Sequence, residues 1–88
     1  MEQVLEMFKM DIGVAHNLRD TYFNKFLESQ KKLLEEKGVT LNLAQTEDIM
    51  LLSDFASWNY RKRNEDVELS RNLSFRIRNR IVKERAKL

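Results

Sequence analysis

Apolar side chains recur along this chain at helical rather than strand spacing, in four segments. Val4, Leu5 and Phe8 stand at i, i+1 and i+4, which predicts a short first helix over about Glu2 to Met10, closed by Gly13. Asn17 is placed to cap a second helix, with Asp20 near the positive end of its dipole. That helix stops after Lys37, where Gly38 can take the left-handed conformation and Val39 can fold back on the apolar face. Leu18, Tyr22, Phe23, Phe26, Leu27, Leu33 and Leu34 share one half of its wheel, and Lys25, Glu28, Lys31, Lys32 and Glu35 the other. In the connection from Val39 to Gln45, the alternation of Val39, Leu41 and Leu43 predicts an extended run across the core surface.

The third helix is predicted from Thr46, read as its cap, to about Asn64, with Glu47 and Asp48 in the first turn. Ile49, Leu52, Ala56 and Tyr60 make one stripe, and Leu51, Phe55 and Trp58 a second. Only a narrow arc of Glu47, Ser53, Asp54, Ser57 and Arg61 is left polar, so this helix is predicted to be central, with neighbours on two sides. After a polar link over Asn64 to Glu68, Ser70 or Asn72 starts a fourth helix reaching nearly to Leu88. Its wheel alternates. Leu69, Leu73, Ile77 and Ile81 lie on one side, Phe75, Val82 and Ala86 roughly opposite, and two basic stripes between them: Arg76, Arg80, Lys83 and Lys87, then Arg71, Arg78 and Arg85. With no Pro and with Gly only at positions 13 and 38, the chain reads as all-α. The expected architecture is one domain over residues 1–88, a small bundle of about four helices with a central third helix and a basic C-terminal helix.

Eighty-eight residues, 42% hydrophobic and 34% charged, suffice for one modest core and exclude a two-domain enzyme with a cleft between domains. The absence of Cys removes disulfide staples, thiolate nucleophiles and Cys-based zinc sites, so partner chains are the remaining route to extra stability. No apolar run approaches the length of a membrane span, and the acidic opening is unlike a signal peptide; an intracellular chain with no membrane partner is expected. The net charge of +2 conceals a gradient: residues 1–60 carry six Lys/Arg against ten Asp/Glu, and residues 61–88 ten against four. The basic end is therefore suited either to phosphates or to the acidic surface of another copy.

Candidate chemistry is sparse. His16 has no second His or any Cys beside it and reads as a turn or helix-start residue. The acidic pairs Glu35-Glu36, Glu47-Asp48 and Glu65-Asp66 point in directions 100° apart on a helix, which suits capping and solvation better than acid-base work. No nucleotide, hydrolase or metalloprotease motif is present, so neither an enzyme nor a cofactor is expected. Phe55, Trp58 and Tyr60, followed by Arg61, Lys62 and Arg63, could stack on bases, yet a mostly buried helix favours core packing, with Arg61 or Arg63 either reaching a carboxylate on a neighbour or simply solvated. Met7, Met10 and Met50 read as core filler.

The run Phe55-Ala56-Ser57-Trp58-Asn59-Tyr60-Arg61-Lys62-Arg63, a polar gap, then Leu69-Ser70-Arg71-Asn72-Leu73-Ser74-Phe75-Arg76-Ile77-Arg78-Asn79 resembles the head-tail connector proteins of tailed phages, also called head-completion or adaptor proteins. The start of the second helix, Arg19-Asp20-Thr21-Tyr22, is also similar to that family, while Ser70 stands where the family often carries Pro. The resemblance implies a structural virion protein at the head-tail interface, assembled in the host cytoplasm. It implies a homo-oligomeric ring of roughly twelve copies beneath the portal, a heterologous arrangement that closes. Its partners would be the portal protein, tail or stopper proteins, and genomic DNA passing through the channel without sequence-specific contact. Subunit or partner contacts are then expected at Arg61, Arg63, Arg71, Arg76, Arg78 and Arg85, with Glu47, Asp54 and Glu65 as candidate acidic partners. The competing expectation is a small basic helical nucleic-acid-binding protein that meets phosphates through Arg76, Arg80, Lys83 and Lys87.

Overall fold

Four helices form where the apolar periodicity places them: α1 (Glu2–Ile12), α2 (Asp20–Glu36), α3 (Thr46–Arg61) and α4 (Arg71–Arg85). The computed structural model describes residues 1–86, so the expected extension of α4 toward Leu88, and Lys87, lie outside the described residues. Among the described residues there is no strand. α1 and α2 pack on each other and on α3, which is central, while α4 packs on α3 and on no other helix. The whole is flat, about 18 Å in its thinnest direction, or two helix layers.

The core gathers Val4 and Phe8 of α1, Phe23, Leu27 and Leu34 of α2, and Leu52, Phe55 and Ala56 of α3. An aromatic group joins three helices at one end: Phe8 meets Phe23 edge-on at 5.4 Å and Tyr60 at 5.6 Å, and Phe26 meets Tyr60 at 5.7 Å. Such edge-to-face pairs add directional preference to the burial of large apolar area. Gln30, buried in α2, is satisfied by the Asn59 side-chain amide, which donates to its Oε1 at 2.6 Å.

Both glycines act as helix stops. Gly13 adopts the left-handed region at φ 81° and donates, as does Val14, to the Lys9 carbonyl. At the end of α2 the Val39 N–H reaches the Leu34 carbonyl at 3.0 Å and the Gly38 N–H reaches the Glu35 carbonyl at 3.0 Å, the two bonds of a Schellman motif. Gly38 has φ 104°, and a Cβ built there would lie 3.8 Å from the Ile81 side chain, an ordinary contact. Space is available, so backbone strain alone decides the cost. Gly38→Ala is expected to destabilise the fold by about 1–2 kcal/mol; chemical denaturation checks this, and an unchanged midpoint would mean the turn can rearrange freely.

Some boundaries differ from the periodic pattern. α2 begins at Asp20, not near Asn17. Residues 17–20 instead form a turn in which the Asp20 N–H donates to the Asn17 carbonyl at 3.3 Å, and Leu18, ahead of the helix, is 85% exposed. Thr46 is the first helical residue rather than the cap, and the cap residue Gln45 accepts the Asp48 and Ile49 N–H groups with its backbone carbonyl. α3 ends at Arg61 rather than Asn64, because the residues that directly follow it, Lys62 to Asp66, are all polar and offer nothing to bury. Ser53 and Ser57, expected on a solvated arc, are buried. They lie on the stripe that ends in Arg61, which bonds Asp11 of α1, and small side chains allow two helices to approach closely there. Met10 and Met50 are exposed rather than core filler; Met7 packs on the core. In the connection Val39 is buried and Leu41 and Leu43 pack on the core as expected, but the run does not stay extended to Gln45: residues 42–45 close a turn in which the Gln45 N–H donates to the Asn42 carbonyl at 2.9 Å.

Ser70 starts α4, its hydroxyl accepting the Leu73 N–H at 3.2 Å. Its φ of −58° is one that proline also holds, so this site can be occupied either by a capping hydroxyl or by a rigid ring.

Candidate functional site

α4 has a bound side and a free side. Leu73 and Ile77 are buried against α3, with Leu69 and Ile81 packed on the core beside them. Arg76 Nη1 pairs with Asp54 Oδ2 of α3 at 2.8 Å. One turn on, the Arg80 fork grips Asp48 with both terminal nitrogens, Nη2 lying 3.0 Å from Oδ2, and Nη2 also donates to the Thr40 carbonyl at 2.8 Å. Glu84 completes the arrangement, its carboxylate paired with Arg80 Nε at 3.2 Å and accepting from the Thr40 N–H at 2.8 Å. Both backbone groups of Thr40 are thus held by α4, which fastens that helix to the α2–α3 connection as well as to α3.

Asp48 is only 3% exposed. The hydrogen bond from Arg80 holds its carboxyl below the usual aspartate range against the opposing effect of burial, and the Asn42 N–H and the Arg80 charge add to the lowering. The bond to Asp48 in turn raises the Arg80 guanidinium above its ordinary value. A carboxyl depressed in the folded state stabilises the fold above its unfolded pKa, about 3.9, and that contribution is lost as pH falls through the lower folded value. The difference in melting temperature between the chain and Asp48→Asn is therefore expected to be constant near neutral pH and to shrink below about pH 4. A difference that ignores pH would show that the charge on Asp48 does not hold α4.

The free side carries Arg71, Phe75, Arg78, Val82 and Arg85, spaced four, three, four and three residues apart and so aligned in one stripe. Phe75 is 63% and Val82 61% exposed. Arg71, Arg78 and Arg85 are exposed, and none forms a salt bridge among the described residues. Alongside runs a shallow groove between α3 and α4, lined by Glu47, Met50, Asn79 and Lys83. Large apolar side chains set between arginines are the composition of an interface centre, whereas a solvated helix face would carry Lys and Glu.

Of the six arginines singled out by sequence, three are committed within the chain. Arg61 Nη2 lies 3.0 Å from the Asp11 carboxylate and donates to the Asp11 carbonyl at 2.7 Å, tying α3 to α1. Arg63 folds back with its guanidinium 4.0 Å above the Tyr60 ring, donating to the Tyr60 carbonyl and so satisfying the end of α3. Arg76 is taken by Asp54. Arg71, Arg78 and Arg85 are brought together on the free stripe. Of the acidic candidates, Asp54 is thereby neutralised, Glu65 pairs with Lys62 at 3.6 Å, and Glu47 lines the groove. The row expected to meet phosphates is not free either, since Arg76 and Arg80 face their own chain and Lys83 alone is exposed among its described members. Phe55 is buried and Tyr60 belongs to the aromatic group, while Trp58 is half-buried with Lys62 Nζ 5.5 Å from its ring centroid.

Asp48 is the residue that helix-by-helix reading missed. It resembles an ordinary first-turn carboxylate, and its partner lies 32 positions away on another helix. Comparisons with protein-family models, curated proteins and solved structures gave no match to this chain.

Proposed function

We propose that the chain is a structural subunit of a tailed-phage head-tail connector, repeated around the portal as a ring that extends the DNA channel and receives the tail. The observation that carries the reading is the free stripe of α4. A lone copy leaves Phe75 and Val82 in water between three unpaired arginines, a surface that is completed only when another protein covers it. The segments that resemble the connector family, Phe55 to Arg63 and Leu69 to Asn79, fall on the second half of α3, the turn after it and the first half of α4. The resemblance and the uncovered face therefore concern the same pair of helices. The acid-to-basic gradient along the chain supports a contact between unlike patches on neighbouring copies.

Native mass measurement of the chain mixed with rings of the portal protein from the same phage tests the proposal. The portal complex is expected to gain a fixed set of copies, while binding to arbitrary duplex DNA is weak. A portal complex of unchanged mass, together with duplex affinity falling with salt at a slope near one per neutralised phosphate, would replace this reading by nucleic-acid binding.

A further inference from the structure

We infer that the free stripe of α4 receives the outer face of α1 from a second copy of this chain, with Glu6 set against Arg78. The inference rests on the connector reading for its biological setting and on the geometry below for its residues.

The outer face of α1 carries Glu2, Gln3, Glu6 and Met10, all exposed. Glu2 and Glu6 form no salt bridge among the described residues; the other acidic residues without one include Glu28, Glu35 and Glu36 of α2, which stand among Lys25, Lys31 and Lys32, whereas the one basic residue of α1, Lys9, is taken by Asp20. Met10 is 81% exposed and places an apolar side chain at the end of an acidic row. The face thus has the complementary pattern to α4, acid for base and apolar for apolar. α1 and α4 both pack on α3 and not on one another, so the two patches are separate surfaces of one molecule. Two different, complementary patches make a head-to-tail contact, which forms a ring when its rotation closes.

The spacings agree. At 1.5 Å per residue, Glu2, Glu6 and Met10 step along α1 by about 6 Å, and on α4 Arg78 is about 10.5 Å from either Arg71 or Arg85, with Phe75 or Val82 between. Placing Met10 on Phe75 with the helices antiparallel sets Glu6 within about 2 Å of the level of Arg78 and Glu2 between Val82 and Arg85. A parallel approach also sets Glu6 beside Arg78, with Met10 at Val82 instead. The Glu6–Arg78 pairing therefore does not depend on helix direction.

Because the chain contains no cysteine, introduced thiols can report this contact without background. Glu6→Cys and Arg78→Cys placed together in one full-length chain, concentrated and oxidised, are expected to give a ladder of covalent dimers, trimers and higher multimers. Either single-cysteine chain is expected to give none of the higher rungs. Dimers from Arg78→Cys alone would mean α4 meets α4, dimers from Glu6→Cys alone would mean α1 meets α1, and the absence of a ladder would mean the faces do not meet; each overturns the inference. As a second measurement, E6R and R78E should each weaken self-association about tenfold and the combined E6R/R78E chain should restore it. Failure of the combined chain to recover, with its helical spectrum intact, also overturns the pairing. A ladder obtained with a chain that does not bind portal would uphold the contact and reject only the connector reading.

Discussion

With Arg71, Arg78 and Arg85 all replaced by Glu, the chain is expected to keep its helical circular dichroism and, if it serves as the proposed connector subunit, to leave DNA-filled heads without tails. The fold should survive because all three side chains are exposed and unpaired within the described chain. Their dipole effects also cancel: Glu at position 71 is favoured at the helix start, Glu at 85 disfavoured at its end, each by about 0.3–1 kcal/mol. Function should not survive, since like charges brought together at an interface cost several kcal/mol, and about 4 kcal/mol is already a thousandfold in affinity. Electron microscopy of lysates and infectious titre measure the outcome. A parallel variant with Gln at the three positions removes the charge without reversing it and should be milder. Normal joining of heads to tails by the Glu variant would exclude these side chains from docking and ring closure.

The largest stability effect is expected at Asp48. Removing one partner of a buried ion pair weakens the hold on the other, and Asp48→Ala would leave the Asn42 N–H without its acceptor and Arg80 with only Glu84 and the Thr40 carbonyl. The Arg80 side chain retains 24% exposure and can turn partly to water, which puts the cost at the lower end for such pairs, about 3 kcal/mol. That is a large share of the 5–15 kcal/mol by which domains are usually stable. Urea denaturation of Asp48→Ala, Arg80→Ala and the double variant separates the pair from its surroundings. The single losses should be non-additive, with the double variant scarcely worse than Asp48→Ala. Additive losses would mean that the two residues stabilise the fold independently and that α4 is positioned by Leu73 and Ile77 alone.

Much of this architecture is legible in the sequence because periodicity reports what one helix does by itself. The closure of α1 by Gly13 and of α2 by Gly38, the inward side of α4 and the alternating connection all follow from residue spacing. The free stripe was visible for the same reason, since Arg71, Arg78 and Arg85 repeat every seven residues. What periodicity cannot report is the neighbour. Ser53 and Ser57 are polar by type but small, and their burial depends on a helix lying close by. Arg76 and Arg80 fall nearer the Leu73 side of the α4 wheel than Arg78 does, but the spacing of one helix does not show that Asp54 and Asp48 of α3 lie where those two arginines reach. Leu18 has the character of a core residue yet precedes the helix that would have pointed it there.

The attachment of α4 has a consequence for assembly geometry. The other three helices brace one another, whereas this one packs on a single helix and is steered by two pairs of charges and by its clasp on Thr40. Substitutions at those few positions are expected to alter its inclination as well as its hold on the core through Leu73 and Ile77. In any closed circle of identical copies, the inclination of the joining element sets the turn from one member to the next, and hence how many members complete the circle. Were copies of this chain to close into such a circle through α4, its circumference would be set in part by the same few polar side chains that hold this helix to its own fold.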